Sequence, residues 1–260
     1  MRESRLAGCW RAAASGLCFL GYWTGCLLVA PTALLAIVML SRSAFTRARR
    51  TRRLASASFR LLIRVCRILG IVECEIAGRE WLAAAPGRLV LANHPTFLDV
   101  IVLLALLPEA NCVVKHSLRR HPVLAPFVRA CGYLANDTEA LAFLAACRDA
   151  KARGETLIVF PEGTRSTAGA PLHFQRGAAQ IALRAGMEIL PVTVYCDPPF
   201  LTRQTRWYRA PQRRVRHLVK FHPPVAAEGF APVAGLEPPL AARRLTRGLQ
   251  SYFQNELLSP

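Results

Sequence analysis

Residues 12–41 contain no charged side chain. A helix needs roughly 20 apolar residues to cross the hydrocarbon core of a bilayer, and this run exceeds that length. Pro31 interrupts it. The run therefore reads either as one kinked span or as a pair of re-entrant or interfacial helices. A cleaved signal peptide is the competing reading. Against it, the apolar stretch is too long and no small-x-small site closes it.

Charge of one sign follows the apolar run. Nine arginines lie between Arg42 and Arg67, and no Asp or Glu occurs between Glu3 and Glu73. Arg60, Arg64 and Arg67 share one helical face, and Leu61, Leu62, Val65, Ile68 and Leu69 fill much of the remainder. The pattern fits a basic amphipathic helix on an anionic leaflet. It also fits the solvated face of an ordinary domain helix. The arginine excess after the run, against three arginines before it, puts the C-terminal side in the cytoplasm. The whole chain carries a net charge of +18 with 53% hydrophobic residues. That balance favours anionic lipid, phosphate or nucleic acid as partners. The nine cysteines are odd in number and form no CxxC pair. They read as reduced core or membrane residues, not as a disulfide or zinc framework.

From about residue 71 the pattern turns to alternating strands and helices. Residues 71–76, 88–92, 112–115, 156–160 and 189–195 are short, apolar and rich in β-branched side chains, as buried strands are. Helices are expected near 97–107, 117–129, 138–153 and 174–185. A late strand is expected within 215–225 and a closing helix over 238–257. The expected fold is α/β, a mixed sheet flanked by helices on both faces and preceded by a membrane-associated helical segment. The expected division is 1–70 for that segment and 71–260 for the catalytic domain.

Two loops stand where strands end, the position at which α/β sheets hold ligands. The first is NHPTFLD, residues 93–99. Thr96 and Asp99 have the spacing of a helix capping box. His94 and Asp99 have the chemistry of a general base and the carboxylate that orients it. The spacing alone leaves both readings open. The second loop is FPEGTRS, residues 160–166. Pro161 and Gly163 shape a tight turn. Arg165 suits a phosphate because its fork bonds two oxygens. Glu162 has two options, an ion pair with Arg165 or a hydrogen bond from a substrate hydroxyl.

Together the two loops resemble the glycerolipid acyltransferase family, the lysophospholipid acyltransferases, whose NHx4D and FPEGTR[ST] motifs lie about this far apart. The resemblance runs from about Leu89 to Tyr195. It includes Lys115, HPVLAPF (121–127), Gly132, FQRG (174–177) and LPV (190–192). It implies a glycerol-3-phosphate acyltransferase-like fold and membrane-bound O-acyl transfer in phospholipid biosynthesis. The donor would be acyl-CoA or acyl carrier protein, and the acceptor the hydroxyl of a lysolipid such as lysophosphatidic acid. His94 would take the hydroxyl proton and Asp99 would orient His94. Lys115, Glu162, Gly163, Thr164 and Arg165 would bind substrate, with Arg165 near a phosphate. No metal and no resident cofactor are implied. The expected partners are membrane lipids and the two substrates, with no nucleic acid, and the expected place is the cytoplasmic face of a membrane.

One departure stands out. Family members acting on phosphorylated glycerol commonly read Gly-x-x-x-x-Asp-Arg between the motifs, whereas this chain reads GYLANDT over 132–138. Thr138 replaces a cation worth roughly 1.5–3 kcal/mol in a desolvated phosphate site. Either Lys115 and Arg165 suffice, or the acceptor is a different lipid or alcohol. A thioesterase-like hydrolase on the same scaffold is a further alternative. The basic stretch 203–217, with Trp207 and Tyr208 among arginines, suits a headgroup contact, an acidic carrier or the CoA phosphates. A solvated surface loop has the same composition.

Overall fold

A computed structural model describes residues 5–122, 124–136, 139–167, 170–205, 211 and 213–258. The chain opens with α1 (Arg5–Leu40) and α2 (Ala44–Ile68). Pro31 lies inside α1, so the apolar run is one helix and not a helical pair. Ala7–Leu40 is, among the described residues, the one helix long and apolar enough to cross a membrane. At about 1.5 Å per residue it exceeds the roughly 30 Å of a hydrocarbon core. Its first turns are tied to the rest of the molecule. Trp10 Nε1 donates to Leu69 O at 3.1 Å, and Arg11 Nε donates to Pro211 O at 3.3 Å.

One face of α2 packs into the domain. Ala48, Thr51, Arg52, Ala55, Ser56 and Phe59 recur at helical spacing and are buried. Several arginines bond within the chain. Arg49 and Arg53 engage Glu109, and Arg60 donates to Ser56 Oγ at 2.8 Å. Arg52, itself buried, meets buried Glu155 at 3.3 Å. On the outer face Leu61 and Ile68 are 61% and 76% exposed.

Behind α2 lies a seven-stranded sheet. Its strands are β1 (Val72–Ala77), β2 (Leu89–Ala92), β3 (Asn111–Val114), β4 (Leu134–Ala135), β5 (Leu157–Val159), β6 (Ile189–Asp197) and β7 (Val215–Phe221). The spatial order is β1-β7-β6-β2-β5-β3-β4. All neighbouring pairs are parallel except β6 and β7. Val90 and Ala92 point into the core beneath α2 and α3 (Leu98–Leu106). Leu89 and Leu91 point into the opposite core, beneath α6 (Ala140–Ala152), α7 (Arg176–Ala185) and α9 (Pro238–Leu258). Strand alternation thus produces the expected helices on both faces.

One expected helix is broken. Residues 117–129 form α4 (His116–Arg120) and α5 (Ala125–Ala130). His121 between them sits at φ −65°, ψ 127°. It precedes Pro122, whose ring excludes the helical conformation from the residue before it. A 3-10 turn (Arg79–Ala84), the two-residue β4 and the single turn α8 (Ala227–Phe230) were not anticipated by periodicity.

Candidate active site

The site follows from the sheet topology. β2 and β5 are adjacent and parallel. The chain leaves β2 into α3 on one face and leaves β5 toward α7 on the other. Two neighbouring strands whose connections part to opposite faces open a crevice at their carboxyl ends. The loops 93–99 and 160–166 meet there. The ladder between β2 and β6 ends at Ala92 and Val192. Asn93 extends it with its side chain, accepting from Val194 N at 2.7 Å and donating to Val194 O at 2.8 Å. The backbone is thereby released to turn at His94.

The first loop departs from the expected capping box. Helix α3 takes its N-cap at Phe97, with no side-chain cap bond, and Thr96 stands one residue before it. Asp99, fully buried in the first turn of α3, accepts from Thr96 N at 2.8 Å, while Thr96 Oγ1 accepts from Leu98 N, not from Asp99 N, at 2.9 Å. The oxygen that takes the Thr96 N–H, Oδ2, also lies 2.9 Å from His94 Nδ1. A carboxylate only accepts, so Nδ1 carries the proton and Nε2 holds the lone pair. Burial pushes the Asp99 carboxyl up, but hydrogen bonds from His217 and His94 outweigh it and hold the group below its ordinary range.

The second loop grips His94 by its backbone. Glu162 Oε1 accepts from His94 N at 2.9 Å and from Ser166 Oγ at 2.8 Å, and Ser166 N donates to His94 O at 2.7 Å. Phe160 stacks on the imidazole with centroids 4.2 Å apart. Burial raises the Glu162 carboxyl above its ordinary value, despite the bonds it accepts from His94 and Ser166. Of the two options open to Glu162, an ion pair with Arg165 does not form. Arg165 instead sends Nη1 to the carbonyls of Leu201 and Thr202, at 2.8 and 3.1 Å. Leu201 O also accepts from Phe97 N at 3.1 Å, so the residues after β6 bridge both loops. Leu201 is held at φ 52°, a strained value for a branched residue.

Gly163 turns the second loop at φ 67°, where a side chain would be strained, although space for one exists. Thr164 is exposed beside it. Lys115 is exposed at the end of β3, one strand beyond β5 on the same sheet edge. Thr138, Trp207 and Tyr208 lie outside the described residues.

Sequence reasoning missed a second histidine. His217, on β7 and fully buried, places Nε2 2.8 Å from Asp99 Oδ1. Val215, Val219 and Phe221 share its buried parity on that strand. A histidine at an inward position of an alternating strand requires a polar partner, and that signal was available.

The fold and this geometry define a class, an α/β domain with a carboxylate-fixed imidazole at a strand switch point, able to take a proton through Nε2. Residues 73–195 match the family described as Acyltransferase. Among relatives, a 1-acyl-sn-glycerol-3-phosphate acyltransferase of Chlamydomonas reinhardtii is 32% identical over 127 residues, 47% of this chain and 38% of that protein. The mouse 1-acyl-sn-glycerol-3-phosphate acyltransferase alpha is 28% identical over 181 residues, 66% of this chain and 62% of that protein. The chain spans about half the length of the curated relatives it matches first. In fold it is similar to the crystal structure of the 1-acyl-sn-glycerophosphate acyltransferase PlsC from Thermotoga maritima. The TM-score is 0.66 at 20% identity, covering 94% of this chain and 97% of that one.

Proposed function

We propose that the protein transfers an acyl group from a thioester, on CoA or acyl carrier protein, to the free hydroxyl of a lysophosphatidic acid-like lipid at a membrane surface. The observation that carries this reading is the His94–Asp99 pair, fixed at 2.9 Å and gripped by the second loop at the switch point. The relatives named for 1-acyl-sn-glycerol-3-phosphate supply the acceptor class.

His94 Nε2 takes the proton of the acceptor hydroxyl as its oxygen attacks the thioester carbon. Asp99 stabilises the imidazolium that forms. The tetrahedral intermediate collapses, the C–S bond breaks, and the proton on His94 passes to the leaving thiolate. One ester and one thiol result, with no acyl-enzyme. Arg165 and Lys115 supply cations for the acceptor phosphate, and Gly163 and Thr164 form the turn beneath it. Glu162 holds His94 in place. The apolar exterior of α1, with exposed Leu20, Leu28 and Met39, supports a lipid-embedded front end. The arginines that follow it support the cytoplasmic face.

The test is transfer of a labelled acyl group from both donors to a panel of lysolipids, with His94→Ala as control. His94-dependent product with lysophosphatidic acid is the expected result. Transfer surviving in His94→Ala would remove the base assignment. Acyl release that ignores added acceptor would make the protein a thioesterase. Transfer confined to acceptors without phosphate would mean that Thr138 marks a changed substrate.

A further inference from the structure

We propose that His217 is a positioning residue for the His94–Asp99 pair: from behind Asp99 it holds the carboxylate by Oδ1 and so tunes His94 as the base. The inference rests on the reading of His94 as the base, and His217 lies outside the 73–195 segment that matches the family.

β6 runs five residues past its last partner on β2, from Thr193 to Asp197, and this overhang pairs with β7. The register puts His217 opposite Cys196 on one side and Cys74 of β1 on the other. The antiparallel turn of β7 thus carries an imidazole back to the end of β2, directly behind the first loop. Neither His217 nor Asp99 has any exposed surface.

The bonding around Asp99 is then complete. Oδ2 accepts from Thr96 N and His94 Nδ1, and Oδ1 accepts from Thr96 Oγ1 at 3.1 Å and His217 Nε2. Four donors fill the four lone-pair directions of one buried carboxylate. Removing His217 would leave Oδ1 with the hydroxyl alone and free the carboxylate to rotate away from His94. The titratable groups packed about His217 are Asp99 from α3, Cys74 from β1 and Cys196 from β6. Cys66 of α2 lies beyond Cys74, and Glu162 lies beyond His94. Among them Asp99 carries the settled charge, and it is negative. His217 Nδ1 is buried with no oxygen or nitrogen partner, and the Cys74 sulfur is its neighbour. Burial lowers the affinity of His217 for a second proton, but Asp99 and Cys74 outweigh it and push the group up to about 9.

A cation shared through Asp99 has a consequence. It offsets part of the carboxylate charge that faces His94, so removing it changes the field at the base. His217→Gln separates the two effects, because the amide keeps a donor near the Nε2 position and loses the charge. Two readouts are made on the full chain in lipid nanodiscs. The first is 15N spectra of histidine-labelled protein, which report the protonation of each ring without any turnover. The second is the pH profile of kcat/KM for acyl transfer.

In the wild type, His217 is expected to show two protonated ring nitrogens between pH 6 and 8. In His217→Gln the His94 titration and the acid limb of kcat/KM are expected to move up together by about half a pH unit or more. The acceptor KM should stay within about twofold, while His217→Ala should lower kcat about tenfold, the cost of one lost charge-assisted bond. A neutral His217 in the wild-type spectrum overturns the inference, and needs no variant to fold. An unmoved His94 titration in His217→Gln also overturns it, and leaves the acyl-transfer reading standing if transfer still depends on His94. A shifted titration in a protein that transfers no acyl group does the reverse.

Discussion

Asp99→Asn separates orientation from charge at the site, and the hydrogen bonds around Asp99 predict how. Thr96 N–H is a backbone donor and cannot become an acceptor, so the amide oxygen must take the Oδ2 position, facing Thr96 N and His94 Nδ1. The amide NH2 then faces Thr96 Oγ1, which can rotate, and His217 Nε2, which must surrender its proton. His94 keeps its tautomer but loses the anion behind it. Two unit charges about 4 Å apart attract by about 4 kcal/mol at an effective dielectric of about 20. That attraction is present only after His94 accepts the proton, so its loss, reduced by the His217 charge that leaves with it, falls on the transition state and lowers kcat by roughly 10–10²-fold. The acceptor and donor KM values should change little. The altered donor pattern costs about 1–3 kcal/mol of stability, a fall of several degrees in Tm. The assay is transfer of a labelled acyl chain in mixed micelles, with Tm measured on the same preparation. A folded Asp99→Asn protein with kcat within about threefold of wild type would falsify the role given to Asp99.

Four further outcomes follow from the same contacts. Glu162→Ala strands the His94 N–H and should lower kcat with a stability loss of about 1–3 kcal/mol; Glu162→Gln, which keeps the acceptor, should recover most of both, and equal damage in the two variants would point to a role for the charge. Arg165→Ala should raise the acceptor KM more than the donor KM and Arg165→Lys should recover only part, because one guanidinium also holds two carbonyls; equal effects on both substrates would remove the phosphate role. Asp99 is held below its ordinary value of 3.8, so its contribution is fully present above that pH and is lost as pH falls through the lowered value; acid unfolding followed by circular dichroism should therefore be less steep in Asp99→Asn, and superimposable curves would contradict this. Arg52→Ala removes the α2 partner of Glu155, which keeps Arg153 and Asn111, and should cost about 1–3 kcal/mol in a denaturant titration, while both KM values stay put; no measurable loss would show that the pair contributes little.

The parts of this molecule that were legible in the sequence are those in which one local rule decides the outcome. β2, β5 and the first four residues of β6, Ile189–Val192, are short apolar runs with no polar option, and they form a buried parallel ladder where expected. The two loops were legible only together, through their resemblance to the paired motifs of the glycerolipid acyltransferases; taken singly, each also fitted a structural turn. What was not legible depends on register between distant segments. Nothing near Asn93 announces that its side chain will pair with Val194, 101 positions away, because that bond exists only once β6 overshoots β2. Likewise nothing near Arg165 announces the carbonyls of residues 201 and 202, which reach it only after β6 ends.

His217 falls between these cases. Its inward parity on β7 was readable from Val215, Val219 and Phe221, and so was its need for a partner. The identity of that partner was not, because β7 must first reverse against the overhang of β6 to bring residue 217 to residue 99. The same reversal explains why a local motif of seven residues is incomplete as a site. The Thr96 N–H and hydroxyl set where Asp99 stands, the second loop sets where His94 stands, and the far strand sets the charge between them. A substitution on β7 that preserves the fold should therefore alter the pH at which the first loop works, as the His217→Gln titration measures.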